Sequence, residues 1–102
     1  SVRETYWKRN VSTMKPLTEN TILDKSQFFG VLDKIKSRGY ALDDEENEAG
    51  ISCVAVPIFD KNNSPVYAVS VSSLTPKMKA LGYEEIASRI QDITTRIEQQ
   101  LF

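Results

Sequence analysis

The stretch that decides the fold is an acidic run that passes through a glycine into an apolar strand: Asp43-Asp44-Glu45-Glu46-Asn47-Glu48-Ala49-Gly50-Ile51-Ser52-Cys53. The acidic half predicts a loop, which ends at Gly50. The strand that follows contains the only cysteine of the chain, and a later strand carries Ser70 and Ser72 two residues apart. If these strands form a hairpin, their small polar side chains converge on one face of a sheet.

Helix signals and strand signals give the order of elements. Asp24 predicts an N-cap, with Gln27 completing a capping box, and Gly39 predicts a helix end. Pro57, inside the first long strand, predicts an edge strand, a bulge or an unpaired backbone position. The predicted order is helix 2–10, helix 25–38, a short strand 40–43, loop 44–50, strands 51–60 and 66–73 (the second ended by Thr75-Pro76), and helix 83–101. This order predicts an α+β fold with an antiparallel sheet packed with helices.

The last helix carries an apolar stripe with two interpretations. Its members are spaced four, three, four and four residues apart: Ile86, Ile90, Ile93, Ile97 and Leu101. Such a stripe is typical of a helix that lies on a sheet, and it is also compatible with a helix–helix seam in a dimer. In the first helix, the apolar side chains Val2, Tyr6 and Trp7 are expected to point inward.

The register of the predicted hairpin follows from its turn. A turn of two or four residues centred on positions 62 and 63 sets Cys53 opposite Ser72 and Ala55 opposite Ser70. Because side chains alternate along a strand, Cys53, Ser70 and Ser72 then share one face. A turn of three or five residues would break this cluster.

The two faces of the predicted hairpin differ in size and polarity. One face carries large apolar side chains that are expected to form the core: Val54, Val56, Ile58, Val69 and Val71. The other face is small and polar, and Asp43 ends the preceding short strand. This face is either a pocket for a small polar ligand, built by Asp43, Cys53, Ser70 and Ser72, or a sheet surface with a buried cysteine and solvent-facing serines.

Composition narrows the function classes. The chain has 102 residues, 13 basic and 14 acidic, which indicates one domain without the basic face that binding nucleic acid requires. It has no membrane-length apolar run, no signal-peptide pattern and a single cysteine, so the cytoplasm is the expected compartment. It begins at Ser1 and not at a methionine, so we expect a processed product or part of a longer chain.

Few residues could carry catalysis or hold a metal. The chain has no histidine, so no imidazole can activate a serine or the cysteine, and an enzyme is not expected. The acidic run lacks the alternating ligand spacing of a calcium loop, and Cys53 by itself cannot hold zinc. Neither a metal nor another cofactor is therefore expected.

Four runs of this sequence resemble the C-terminal effector-binding domain of IclR-type transcription regulators. They are Arg38-Gly39-Tyr40-Ala41-Leu42-Asp43, Asp44-Glu45-Glu46, Gly50-Ile51-Ser52-Cys53-Val54-Ala55-Val56-Pro57-Ile58-Phe59-Asp60 and Val66-Tyr67-Ala68-Val69-Ser70-Val71-Ser72. Upstream, Leu17-Thr18-Glu19-Asn20-Thr21-Ile22 is similar to the "T-x-N-T-I" connection of that family. The resemblance covers residues 17–102.

The resemblance implies a GAF-like fold, with residues 1–102 as the C-terminal portion of an effector-binding domain. The first half of that domain and an N-terminal winged helix-turn-helix, which would read operator DNA, are expected to lie outside this chain. The implied pocket uses Asp43, Cys53, Ser70 and Ser72, the residues that the hairpin register also brings together. The implied ligand is a small organic-acid metabolite, and the implied assembly is a homodimer or homotetramer.

Two other functions remain open at this point. A GAF-like redox sensor built on Cys53 would require an exposed, acidic thiol. A pure oligomerisation module built on the stripe of residues 86–101 would have no ligand pocket.

Overall fold

The structure, a computed structural model, describes residues 2–102 and contains four α-helices around one three-stranded sheet. The elements are α1 (Val2–Asn10), a 3-10 turn (Val11–Thr13), α2 (Lys25–Arg38), β1 (Ala41–Asp44), β2 (Ile51–Phe59), β3 (Pro65–Leu74), α3 (Thr75–Leu81) and α4 (Tyr83–Leu101). The strands are antiparallel neighbours in the order β1-β2-β3. The predicted α+β class with an antiparallel sheet is confirmed.

The pairing of β2 with β3 has the predicted register, although the predicted two- or four-residue turn is wrong. Asp60 N donates to Ser64 O, so three residues lie in the turn, and a register shift between Ile58 and Phe59 restores the pairing further along the strands. Cys53 pairs with Ser72, and Asp43 of β1 pairs with Cys53 from the other side. Two residues further along β2, Ala55 pairs with Ser70. Side chains of directly paired residues lie on the same face, so all five residues belong to one side of the sheet.

Pro57 lies in the central strand, but beyond the end of β1, so of the three predicted alternatives an unpaired backbone position fits and a true edge strand does not. Pairing of β2 with β1 ends at Ala55, and the ladder with β3 shifts register between Ile58 and Phe59. The proline therefore pairs with β3 only and has no ladder on its β1 side, where a missing N–H is tolerated.

The core lies on the opposite face of the sheet, beneath α3 and α4. Val54 and Val56 of β2 are 0% and 3% exposed, and they pack with Met78 of α3 and with Ile86 and Ile90 of α4. Burying each such side chain contributes roughly 1.5–3 kcal/mol relative to leaving it in water. The α3–α4 face therefore supplies most of the apolar stabilisation of this chain.

Ser52 lies on this core face and not on the polar one. Its Oγ lies 2.8 Å from Thr75 Oγ1 and accepts a hydrogen bond from the Tyr83 hydroxyl at 3.1 Å. Since Ser52 is fully buried, these bonds satisfy a hydroxyl that has no access to water. The cluster joins the start of β2 to the first turns of α3 and α4.

Helix α3 is an element that the sequence analysis does not predict. Thr75-Pro76 reads as a strand end, whereas the structure begins a helix there with the proline in its first turn. Proline is well tolerated at this position because the first N–H groups of a helix have no intrahelical partner. One turn further on, Met78 becomes one of the most buried side chains of the core.

The predicted inward face of α1 is only partly correct. Trp7 is buried and its ring centroid lies 5.5 Å from that of Phe28 in α2, but Val2 and Tyr6 are exposed. The ion pairs Arg3–Asp33 and Lys25–Glu4 link the same two helices. Because α1 rests on α2 and not on the sheet, it buries a single large side chain.

Only part of the apolar stripe of α4 is buried. The buried residues of α4 are Ile86, Ala87, Ile90 and Thr94, and this face packs on β2 as the sheet-packing interpretation predicts. Ile93 and Leu101 lie beside that face and are exposed. On β3, Val71 is 39% exposed although it was predicted for the core, because β3 is an edge strand that the helices leave largely uncovered.

Candidate functional site

The polar face of the sheet opens into a cavity of about 540 Å³ between α2, β1 and β2. Asp43, Cys53 and Ala55 are on its floor, and Phe28, Val31, Leu32 and Ile35 of α2 form its wall. A volume of this size is within the usual range for small-molecule sites. Mostly apolar walls with a few polar groups at one end are also typical of such sites.

Helix α2 stands away from the sheet and so creates this space. Its ends are fixed: the Asp24 side chain accepts a hydrogen bond from Gln27 N at 2.9 Å, and Gly39 adopts a left-handed φ of 83° and donates to Ile35 O. Between these caps, none of its 14 residues is fully buried. Apolar side chains that would otherwise pack on a sheet therefore face the cavity.

The four predicted site residues lie on one face, but only two of them line the cavity. Asp43 and Cys53 belong to the floor, whereas Ser70 and Ser72 continue the same face along β3 and are exposed to solvent. Adjacent strands are about 4.8 Å apart, so the row from Asp43 through Cys53 to Ser72 spans roughly 10 Å. The cavity and the two serines are thus adjacent parts of one surface.

The acidic loop that follows β1 is folded by its own carboxylates. Asp43 Oδ1 accepts a hydrogen bond from Glu46 N at 2.8 Å, and Glu46 Oε2 accepts one from Asp44 N at 3.3 Å. Glu45 accepts another from the backbone N–H of Gly50. These carboxylates therefore organise the backbone. Within residues 2–102, no group of three or more His, Cys, Asp or Glu side chains is placed to hold a metal ion.

Glu46 lies at the polar end of the cavity, and burial raises the pKa of its carboxyl above the ordinary value of 4.5. The hydrogen bond from Asp44 N opposes this shift, while the negative charges of Asp43 and Asp44 add to it. The folded state therefore holds the proton of Glu46 more tightly than the unfolded chain does.

A pH-dependent stability difference follows for Glu46→Gln. Below pH 4.5 the Glu46 carboxyl is protonated in both the folded and the unfolded chain, so it does not lower the free energy of unfolding. Above pH 4.5 the unfolded chain ionises more readily than the folded one, so the carboxyl lowers the free energy of unfolding. We expect Glu46→Gln to have a higher Tm than wild type at pH 7, with the difference vanishing below pH 4.5. Thermal unfolding across this pH range measures it. Glu48→Gln, at an exposed loop position, is the control, and an equal gain in both variants would contradict the assignment to burial of Glu46.

Sequence reasoning identified the floor of the cavity but not its wall. The sequence predicts a helix at 25–38 but assigns none of its apolar side chains to a site, and it predicts a loop at Glu46. The available signal was the small size of Cys53, Ala55 and Ser70, because a helix facing such a sheet surface cannot fill the space above it. The redox interpretation required an exposed thiol, whereas Cys53 is half-buried on the cavity floor.

Comparisons with known proteins agree with this architecture. The family model described as "Bacterial transcriptional regulator IclR C-terminal" matches residues 2–99. The DNA-binding transcriptional repressor YiaJ of Escherichia coli is 37% identical over 98 residues, which are 96% of this chain and 35% of that protein. The regulator KdgR of the same organism is 31% identical over 85% of this chain and 33% of its own length.

Solved structures of similar proteins have the same fold. A crystal structure of the transcriptional regulator YaiJ superposes with a TM-score of 0.92 at 36% identity, covering 97% of this chain and 55% of that one. The IclR structure from Thermotoga maritima gives a TM-score of 0.80 at 40% identity, covering 96% and 40%. The chain spans about a third of the length of the curated relatives YiaJ and KdgR.

The fold and the matched family define a regulatory domain of a bacterial transcription regulator. The chain belongs to the IclR family and corresponds to its C-terminal domain. Its relatives are transcriptional regulators and not enzymes. No helix within residues 2–102 combines the length and apolar character that crossing a bilayer requires.

Proposed function

We propose that this chain is the ligand-sensing part of an IclR-type regulator and binds a small organic acid on the polar face of its sheet. The observation that carries the proposal is the cavity over Asp43 and Cys53, which continues into the row of serines on β3. Its apolar wall on α2 would enclose the carbon skeleton of the ligand.

The charges of the site favour one orientation of the ligand. Asp43 and Glu46 lie at one end, and negative charge there repels a carboxylate but accepts hydrogen bonds from hydroxyl groups. The hydroxyls of Ser70 and Ser72, about 10 Å from Asp43 across two strand spacings, can donate to a carboxylate. The site therefore suits an acid whose hydroxyl or keto group lies at the opposite end from its carboxylate.

In the intact regulator, this domain would act in the cytoplasm as a homodimer or homotetramer. A winged helix-turn-helix in the N-terminal part would bind operator DNA, and the first half of the effector domain would complete the surface beside Ser70 and Ser72. Ligand binding would change the relative placement of the DNA-reading domains and so the affinity for an operator whose half-sites have fixed spacing.

A thermal-shift screen of hydroxy, keto and aromatic acids tests this function. A ligand at 100 times its Kd stabilises the folded state by about 2.7 kcal/mol, which is readily seen as a rise in Tm. In Ser70→Ala/Ser72→Ala, loss of two hydrogen bonds to a charged group should weaken binding by at least about tenfold without unfolding the protein. Ser73→Ala, on the same strand but facing the other side, is the matched control.

Two outcomes would contradict the proposal. Absence of a shift with every acid class would refute organic-acid sensing. A shift that persists unchanged in the double serine variant would place the ligand away from β3.

A further inference from the structure

The acidic loop at the end of β1 is held from outside by one short segment. The side chains of Thr18, Asn20 and Thr21, which we call the threonine latch, donate hydrogen bonds to the backbone carbonyls of residues 45, 44 and 46, respectively. Three consecutive carbonyls of the loop are thus bonded by three side chains of the connection between α1 and α2. Hydrogen bonds of this kind fix a loop that few apolar contacts would otherwise hold.

Hydrogen bonds within the latch set the direction in which its two threonine hydroxyls donate. Thr21 Oγ1 accepts a hydrogen bond from Thr18 N at 2.9 Å, and Thr18 Oγ1 accepts one from Asn20 N at 3.0 Å. Each threonine oxygen therefore receives one backbone N–H and directs its own hydrogen toward the acidic loop. Serine can reproduce this pattern, and valine, which has the shape of threonine without a hydroxyl, cannot.

The latch and the loop adjoin each other at the cavity rim. Leu17, Thr21 and Ile22 line the cavity from the latch side, and Asp43 and Glu46 line it from the loop side. The Asp43 carboxylate accepts a hydrogen bond from Glu46 N, and the Glu46 carboxylate accepts one from Asp44 N. Both bonds join residues of β1 and the loop to each other, so the position of the loop relative to α2 depends on the latch.

We propose that Thr18, Asn20 and Thr21 are positioning residues that hold Glu46 at the polar end of the cavity, beside Asp43, which the pairing of β1 with β2 already fixes. This inference rests on the proposed function, since it gives the site its hydroxyl-accepting end. Without the latch hydroxyls the loop moves away from α2, the Glu46 carboxylate loses its fixed place, and the cavity floor opens to solvent. A ligand that contacts both Ile22 and Glu46 would in turn tighten the latch.

The test compares Thr18→Val/Thr21→Val with Thr18→Ser/Thr21→Ser in the absence of any ligand. In the valine variant, we expect amide hydrogen exchange at Glu46 and Gly50 to accelerate about tenfold, since two hydrogen bonds that oppose loop opening are lost. Alkylation of Cys53, the only thiol, by iodoacetamide should accelerate to a similar degree. The serine variant should exchange and react at the wild-type rates.

The control is Thr95→Val, which removes a threonine hydroxyl that donates to the Gln91 carbonyl on α4, on the other side of the sheet. It should change neither rate. The inference is overturned if the valine variant behaves as wild type, if the serine variant is as fast as the valine one, or if the amides of residues 52–56 accelerate equally, which would indicate general destabilisation. Because no ligand is used, failure here leaves the acid screen intact, and failure of the screen leaves this result intact.

Discussion

Met78→Ala should lower the free energy of unfolding by about 2–5 kcal/mol, the usual range for truncating a fully buried methionine to alanine. Met78 is 1% exposed and packs between β2 and α4, so the cavity left behind cannot fill with water or close by rotation of a surface side chain. Urea unfolding measures the change as a lower midpoint with the same slope. A loss of this size is a large part of the stability of a domain of this length.

Leu81→Ala is the matched control for that prediction. Leu81 lies on the same helix, three residues on, and is 67% exposed, so its truncation should change the stability by no more than about 0.5 kcal/mol. Equal losses in the two variants would show that α3 does not pack on the sheet as described.

Ala55→Phe should reduce affinity for an acid found in the screen by at least about 100-fold while leaving the Tm unchanged or higher. The phenyl ring would extend from the cavity floor toward Val31 and Leu32 and occupy the space of the ligand. It would bury apolar surface there and leave Val54 and Val56, which point to the other side, undisturbed. Isothermal titration gives the affinity, and slower alkylation of Cys53 reports the filled cavity without a ligand.

Ala68→Phe provides the comparison. Ala68 has the same side-chain type and lies on the same face, but on the exposed β3 and outside the cavity lining. Binding should survive this substitution. If Ala55→Phe also binds with wild-type affinity, the ligand site lies elsewhere on the molecule.

Local signals predicted the parts of the fold that depend on neighbouring residues. Asp24 and Gly39 gave both ends of α2, whereas the predicted pairing of Cys53 with Ser72 holds only because a register shift between Ile58 and Phe59 offsets the odd-numbered turn. The two helix ends are short-range features, since they depend on backbone hydrogen bonds and on φ values within a few residues.

Other features depend on distances between elements, which a sequence pattern does not contain. The apolar residues of α2 have the same spacing whether the helix packs on the sheet or stands above a cavity. The sequence therefore does not predict the cavity wall at Val31 and Leu32. Proline is common both after a strand and in the first turn of a helix, so Pro76 does not by itself predict α3. The exposure of Ser70 depends on what lies beside β3, and strand periodicity carries no information about that.

Alternate residues of β2 face two separate environments. Cys53 and Ala55 line the cavity, and Val54 and Val56 lie in the core. Effects of substitutions on the two sides should be nearly additive, because the side chains point to opposite faces of the sheet. Under the proposed function, natural selection can therefore change the ligand of such a domain without first losing a foldable protein. Duplicated copies of one ancestral regulator could diverge quickly toward different metabolites by this route.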